Sequence, residues 1–174
     1  MHPEAREFVR MVLFGLSRPP KRILEIGGRD INGSVRDLFP AAETYVSIDL
    51  QPGPGVDVVA DGATYEPNFV PDLVLCLEVL EHAASPRAIV RHALNLLPVG
   101  GTLVLTCAGP GRAPHSGIDG GPLRPGEHYA NIDPYMLAAW ASAPELGARV
   151  SCSFVLDHRL HDVRCAMTKL EGWG

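Results

Sequence analysis

Asp49, Asp61 and Glu78 each follow a short apolar run, and Gly27-Gly28 closes another, ILEI, near the head of the chain. Apolar runs that end on carboxylates or glycines are how parallel strands deliver ligand-binding groups to the carboxyl edge of an α/β sheet. A glycine pair there lets the backbone bend tightly and approach a ligand, and amides at such a turn can hold polar ligand groups. Gly28 and Gly33 have the spacing of a phosphate loop, but Ser34 and Val35 stand where lysine and Ser/Thr should be. Both the phosphate charge and the magnesium ligand are then missing, which argues against an NTPase. The G-x-G-x-x-G of a dinucleotide fold is absent too. Asp49 nevertheless lies about 20 residues beyond the loop, as that fingerprint requires, and this keeps a nucleotide-cofactor oxidoreductase as an alternative.

The other chemistry-bearing residues gather in a polar connection rich in glycine and proline, Cys107 to Ile132. It is longer than a compact domain needs, and residues 107–132 read as a substrate-side lid. Within it His115, Asp119, Arg124, Glu127, His128 and Tyr129 can touch a polar substrate, with His128 and Tyr129 the preferred pair. A histidine, titrating near neutrality, can take the proton from a hydroxyl; His82, after the fourth apolar run, is the third candidate. No metal site is expected. Cys76, Cys107, Cys152 and Cys165 are widely spaced in apolar runs and read as buried reduced thiols. His158 and His161 fall in a turn and read as a surface pair.

The elements that must position these residues follow from periodicity. Phe8, Val9, Val12, Leu13 and Leu16 share one helical face, and Pro19-Pro20 stops the helix. Arg22 to Ile26, Thr44 to Asp49, Val56 to Ala60, Asp72 to Leu77 and Thr102 to Thr106 read as parallel strands covered on both faces. Ser85-Pro86 and Asp133-Pro134 each pair an N-cap with a proline at the first helical position. Arg149 to Leu156 and Val163 to Lys169, separated by DHRLHD, read as a closing hairpin. At 174 residues and 46% hydrophobic composition the chain builds one domain, 1–174. Its net charge of −5 lacks a basic cluster, which argues against a nucleic-acid partner. No run is apolar enough for the membrane, so a soluble, cytoplasmic protein is expected.

That order resembles the class I S-adenosylmethionine-dependent methyltransferases, specifically the broad group whose fourth strand ends in a phrase like LEVLEH. ILEIGG is similar to the first cofactor motif, YVSIDL to the acidic second strand, VVADG to the third, DLVLCLEVLEH to the fourth, and LLPVGGTLVLT to the helix, turn and strand that follow. The resemblance implies an α/β, Rossmann-like methyltransferase fold: a mostly parallel seven-stranded sheet with a C-terminal antiparallel hairpin and helices on both faces. It implies S-adenosylmethionine as the cofactor. Asp49, with Leu50 beside it, would take the ribose diol, a geometry suited to two carboxylate oxygens. Asp61 and Gly62 correspond to the adenine amino group, and Glu78 and Val79 to the methionyl portion and sulfonium. Gly27 and Gly28 form the loop, with Asp30 and Asn32 toward the aminoacyl end. Asn32-Gly33 reads equally well as the start of the next helix. Glu25 is expected to organise the loop amides or a cofactor amine. The Arg29-to-Asn32 stretch departs from the denser glycine loop usual in the group. Glu81-His82 is the sharpest family signature, and the resemblance makes it structural more often than catalytic. The implied reaction is methyl transfer to a small-molecule or glycan acceptor, oxygen slightly favoured over nitrogen. The non-enzyme alternative is a catalytically silent, methyltransferase-like binding or regulatory module.

Overall fold

The computed structural model describes residues 3–142 and 147–171. One helix precedes the sheet, α1 (Pro3–Gly15), and strands β1 (Arg22–Ile26), β2 (Thr44–Asp49), β3 (Val58–Val59) and β4 (Leu73–Leu77) follow. Then come α2 (Pro86–Leu96), β5 (Thr102–Ala108), α3 (Pro134–Ala141), β6 (Val150–Asp157) and β7 (Asp162–Lys169). The seven strands form one sheet in the order β3-β2-β1-β4-β5-β7-β6. β1 to β5 pair in parallel, whereas β7 is antiparallel to both β5 and β6. The expected parallel sheet with its closing hairpin is what the chain builds.

Every residue of β4 and β5 is buried, as their near-continuous apolar sequences require of strands sandwiched between two layers. One face carries α1, whose Val9 packs with Ile23, Leu73, Leu75 and Val104. The other carries α2 and α3, where Ile89, Val90, Leu94, Leu137 and Trp140 close over Leu24, Val74 and Leu105. β1 lies between β2 and β4, with Ile26 opposite both Ile48 and Cys76. That register brings the ends of three strands to one edge.

Some elements differ from the sequence expectation. β3 is only Val58–Val59, shorter than Val56 to Ala60. It is an edge strand, and ahead of it the Asp57 carboxylate accepts from Ser47 N (2.9 Å), so a side chain occupies part of the ladder. No α-helix follows the glycine loop; a 3-10 turn, Arg36–Leu38, stands there, and Pro40 soon after it forbids helical continuation. The two proline-led helices also differ. Asp133 caps α3 by accepting from Tyr135 N (2.8 Å), while Ser85 makes no side-chain cap bond and its carbonyl accepts from Ala88 N (3.0 Å) and Ile89 N (3.5 Å). Cys76, Cys107 and Cys165 are buried thiols, but Cys152 is half-buried, its Sγ 3.5 Å from that of Cys165.

Candidate active site

The carboxyl ends of β1, β2 and β4 open into a cavity of about 1100 Å³. That exceeds the roughly 300–1,000 Å³ of an ordinary small-ligand pocket and leaves room for two molecules. On the strand side Gly27 has φ +75, and a Cβ there would sit 2.1 Å from Val79 Cγ2. At Gly28 a Cβ would fall 1.8 Å from Ser47 Oγ and 2.7 Å from Glu25 Oε2. Both positions therefore exclude any side chain. The expected donation by their amides is not available, however: Gly27 N and Gly28 N both donate to Ile48 O, at 2.8 and 3.1 Å. The glycines supply space and a bend.

Glu25 is buried beneath that bend and accepts from the Tyr45 hydroxyl at 2.9 Å. Burial pushes its carboxyl above the usual range, against the opposing pull of the Tyr45 bond. Asp49, at the end of β2, lines the cavity and uses Oδ1 to accept from Gln51 N (2.9 Å), which fixes the carboxylate at the rim. Asp61 does the same one strand over, accepting from Ala63 N (2.8 Å). Gly62 is pressed against β1, since a Cβ would meet Ile26 Cγ2 at 2.4 Å. Leu50 and Asn32 are exposed and also line the cavity. Asp30 does not: its Oδ1 accepts from Gly33 N (2.7 Å), and the residue shapes the loop from outside the wall.

Glu78 leaves β4 in the left-handed region (φ 58), a conformation uncommon for a side-chain-bearing residue and concentrated at functional sites. Two contacts with β5 hold it there: its N donates to Thr106 O (2.8 Å), and Thr106 Oγ1 donates to its Oε1 (2.6 Å). Glu78 and Val79 both line the cavity. Glu81, three residues on, is fully buried, and its Oε1 accepts from Ala108 N (3.1 Å). Burial, with Glu78 nearby, pushes its carboxyl up to about 8.

The facing wall comes from the loop between β5 and α3. Ile132 N to Ala108 O (2.8 Å) closes its base, and Ala130 N to Glu81 O (2.8 Å) ties its far limb to the turn after β4. Inside it Ser116 Oγ donates to Glu127 Oε1 (2.7 Å), while Arg112 bonds to Asp162 Oδ1 (2.9 Å). Asp119 and Arg124 pair with each other. Of the three expected acceptor-side residues, His82 and His128 line the cavity, whereas Tyr129 does not and packs its ring on His82 and His115 instead. The His82, His115 and Tyr129 rings meet edge to face, with centroids 5.0–5.5 Å apart. His82 is held below its ordinary value, first by burial and then by His115, so it is a neutral base near pH 7. His128 is exposed at the rim.

One participant escaped the sequence reading, and another was named there without being preferred. His115 was one of several loop residues until folding set it against His82. Arg29 was passed over in the glycine loop, yet its guanidinium reaches the facing wall and donates to Ile118 O (3.0 Å) and Gly117 O (3.4 Å). Neither carries a spacing signal.

A family profile described as a methyltransferase domain matches residues 2–146. The chain belongs to that family, the class I S-adenosylmethionine-dependent methyltransferases. A ubiquinone biosynthesis O-methyltransferase from Xanthomonas campestris pv. campestris is 35% identical over 114 residues, covering 60% of this chain and 45% of that protein. The chain therefore spans under half the length of that curated relative. Among solved structures, the fold is similar to a sugar N-methyltransferase from Streptoalloteichus sp. (TM-score 0.68, 17% identity, 97% of this chain and 88% of that one). It is also similar to the S-adenosylmethionine-bound amino pentose methyltransferase from Micromonospora echinaspora (TM-score 0.66, 18% identity, 96% and 91%). The cavity fits the cofactor in kind. Two glycine positions keep the wall bare, and Asp49 and Asp61 put carboxylates, which can accept hydrogen bonds, on the cavity wall after successive strands. Among the described residues no helix is long and apolar enough to cross a membrane.

Proposed function

We propose that this methyltransferase acts on a small-molecule or glycan acceptor, with oxygen slightly favoured over nitrogen, in the half of the cavity walled by residues 107–132. The observation that carries the reading is the cavity's two unlike walls: bare glycines and carboxylates on the strand side, histidines on the loop side. An O-methyltransferase relative supports oxygen, while the amino-sugar and sugar N-methyltransferase folds keep nitrogen open.

Asp49 holds the ribose hydroxyls, Asp61 and Gly62 face the adenine end, and Glu78 and Val79 flank the methionyl end. Bound there, S-adenosylmethionine supplies an already activated methyl group, so the chain's task is to align an acceptor lone pair and exclude water. His128 at the rim, or His82 with its neutral ring, takes the proton of an acceptor hydroxyl. The loop acts as the lid, and Arg29 joins it to the glycine bend.

Calorimetry with S-adenosylmethionine and S-adenosylhomocysteine tests the first half. Asp49→Ala should weaken both by about 5- to 150-fold, the loss of charged hydrogen bonds worth ~1–3 kcal/mol. Unchanged affinity in the folded variant removes Asp49 from the site. Labelled methyl transfer across hydroxylated aromatics, sugars and aminosugars tests the second. His128→Ala should lower turnover on the true acceptor by about 10²–10⁴-fold with cofactor affinity intact. If His82→Ala alone does so, the roles are reversed.

A further inference from the structure

Beneath the acceptor wall lies a cluster that the cofactor reading does not use. Glu81 is fully buried in the turn after β4, and while Oε1 is bonded to Ala108 N, Oε2 has no hydrogen-bond partner among the described residues. The adjacent His82 Nδ1 and the Tyr129 hydroxyl are likewise buried without a partner there. Buried polar atoms are satisfied in the great majority of cases, and each one left alone is destabilising by about 1–3 kcal/mol. Two of them belong to adjacent residues and the third to Tyr129, whose ring packs on that of His82, so a single polar group beside Glu81 and His82 is the simplest answer.

Their chemistry narrows what that group is. One ligand atom each from Glu81, His82 and His115 lies within 4.8 Å of the others. A hydroxyl or ammonium group would satisfy the carboxylate but would not account for two imidazoles that each bring a ring nitrogen within 4.8 Å of it and of each other. A carboxylate with two imidazoles is the donor set of a borderline divalent cation such as Zn²⁺, Mn²⁺ or Co²⁺, whereas Mg²⁺ and Ca²⁺ favour oxygen ligands throughout. We propose that Glu81, His82 and His115 bind one such cation, with the Tyr129 hydroxyl beside it and the remaining position open to the cavity that His82 and His115 line.

Metal bonds of about 2.0–2.2 Å set tetrahedral ligand atoms ~3.4 Å apart, so groups separated by as much as 4.8 Å must close by up to about 1.4 Å. The framework allows this on one side only. Glu81 is locked by Ala108, but His115 is half-buried on a loop whose own Gly117 rests against the His82 ring, where a Cβ would meet His82 Cγ at 2.9 Å. Metal binding therefore draws the loop's His115 inward. Its consequence for acceptor choice rests on the proposed methyl transfer: a cation with an open position would bind an acceptor oxygen and lower its pKa. The binding itself does not depend on that reading.

The test uses the full chain stripped by chelator, with neither cofactor nor acceptor present, so its failure leaves methyl transfer untouched. Zn²⁺ and Co²⁺ are titrated by calorimetry and, for Co²⁺, by visible absorption. The expected result is one equivalent bound, with d–d bands of a nitrogen- and oxygen-ligated Co²⁺ site. His115→Ala, on the loop and outside the core, should weaken binding at least about tenfold and abolish the bands. His158→Ala, on the exposed hairpin turn, should change neither. No binding by the folded wild type, or equal affinity in His115→Ala, overturns the site; loss in His158→Ala instead assigns the cation to the surface pair and overturns it as well.

Discussion

Gly27→Ala isolates one of the two closest approaches in the glycine-lined wall of the cavity. The new methyl meets two separate obstacles. At φ +75 an L-residue is strained by about 1–2 kcal/mol, and the methyl would sit 2.1 Å from Val79 Cγ2, an overpacking worth a further ~1–3 kcal/mol. Together these predict a loss of about 2–5 kcal/mol, readable as a fall in the urea midpoint of about 1–2.5 M for m near 2 kcal/mol/M. The two parts are separable. Val79 Cβ lies 3.4 Å and Cγ1 3.6 Å from the built methyl, so only Cγ2 obstructs, and Val79→Ala removes it while leaving the backbone strain. In a double-mutant cycle, Gly27→Ala should therefore cost about 1–2 kcal/mol in the Val79→Ala background, a favourable coupling of ~1–3 kcal/mol. Affinity for S-adenosylhomocysteine should follow the same pattern, because Gly27 and Val79 both line the cavity. Costs that add to within about 0.5 kcal/mol would refute the contact as the reason for glycine there.

Glu25→Gln tests the buried carboxylate. Because its folded pKa is raised, the wild-type chain takes up a proton on folding, and its stability falls as pH rises from the usual carboxylate range near ~4.3 to the folded value. Glutamine cannot ionise and can still accept from Tyr45, so the variant's stability relative to wild type should improve from pH 4 to pH 7 in urea titrations; a pH-independent difference contradicts the assignment. Arg29→Ala should speed hydrogen exchange in the stretch around Gly117 and Ile118, whose carbonyls its guanidinium holds, with exchange in β4 and β5 unaltered. Unchanged exchange in the loop would mean that Arg29 is no latch.

The strand ends were legible because strands buried on both faces leave a simple trace: an apolar run broken where the chain reaches the sheet edge. Asp49, Asp61 and Gly27 could be placed on that ground. The loop wall could not, because its folding follows no period. Ser116 on Glu127, Arg112 on Asp162 and Arg29 on Ile118 are contacts between distant residues or across turns, so nothing in the local pattern separated His115 from His128. The role of the glycine amides was hidden for another reason. It depends on β1 and β2 being in register at Ile26 and Ile48, which turns the Ile48 carbonyl toward Gly27 and Gly28.

The two glutamates of LEVLEH show where local sequence stops and geometry decides. They are of one type, in one phrase, at the end of one strand, and spacing alone assigns neither. The left-handed turn at Glu78 (φ 58) swings the chain as it leaves β4. Glu78 is thereby left half-exposed on the cavity, held by the Thr106 hydroxyl, and Glu81 is carried into the core beneath Ala108. One carboxylate faces the cavity, and the other is buried beside His82 and His115, two half-buried imidazoles that line it. The motif thus sends its two carboxylates to different places by a single backbone reversal, and β5, through Thr106 and Ala108, is the strand that holds both of them.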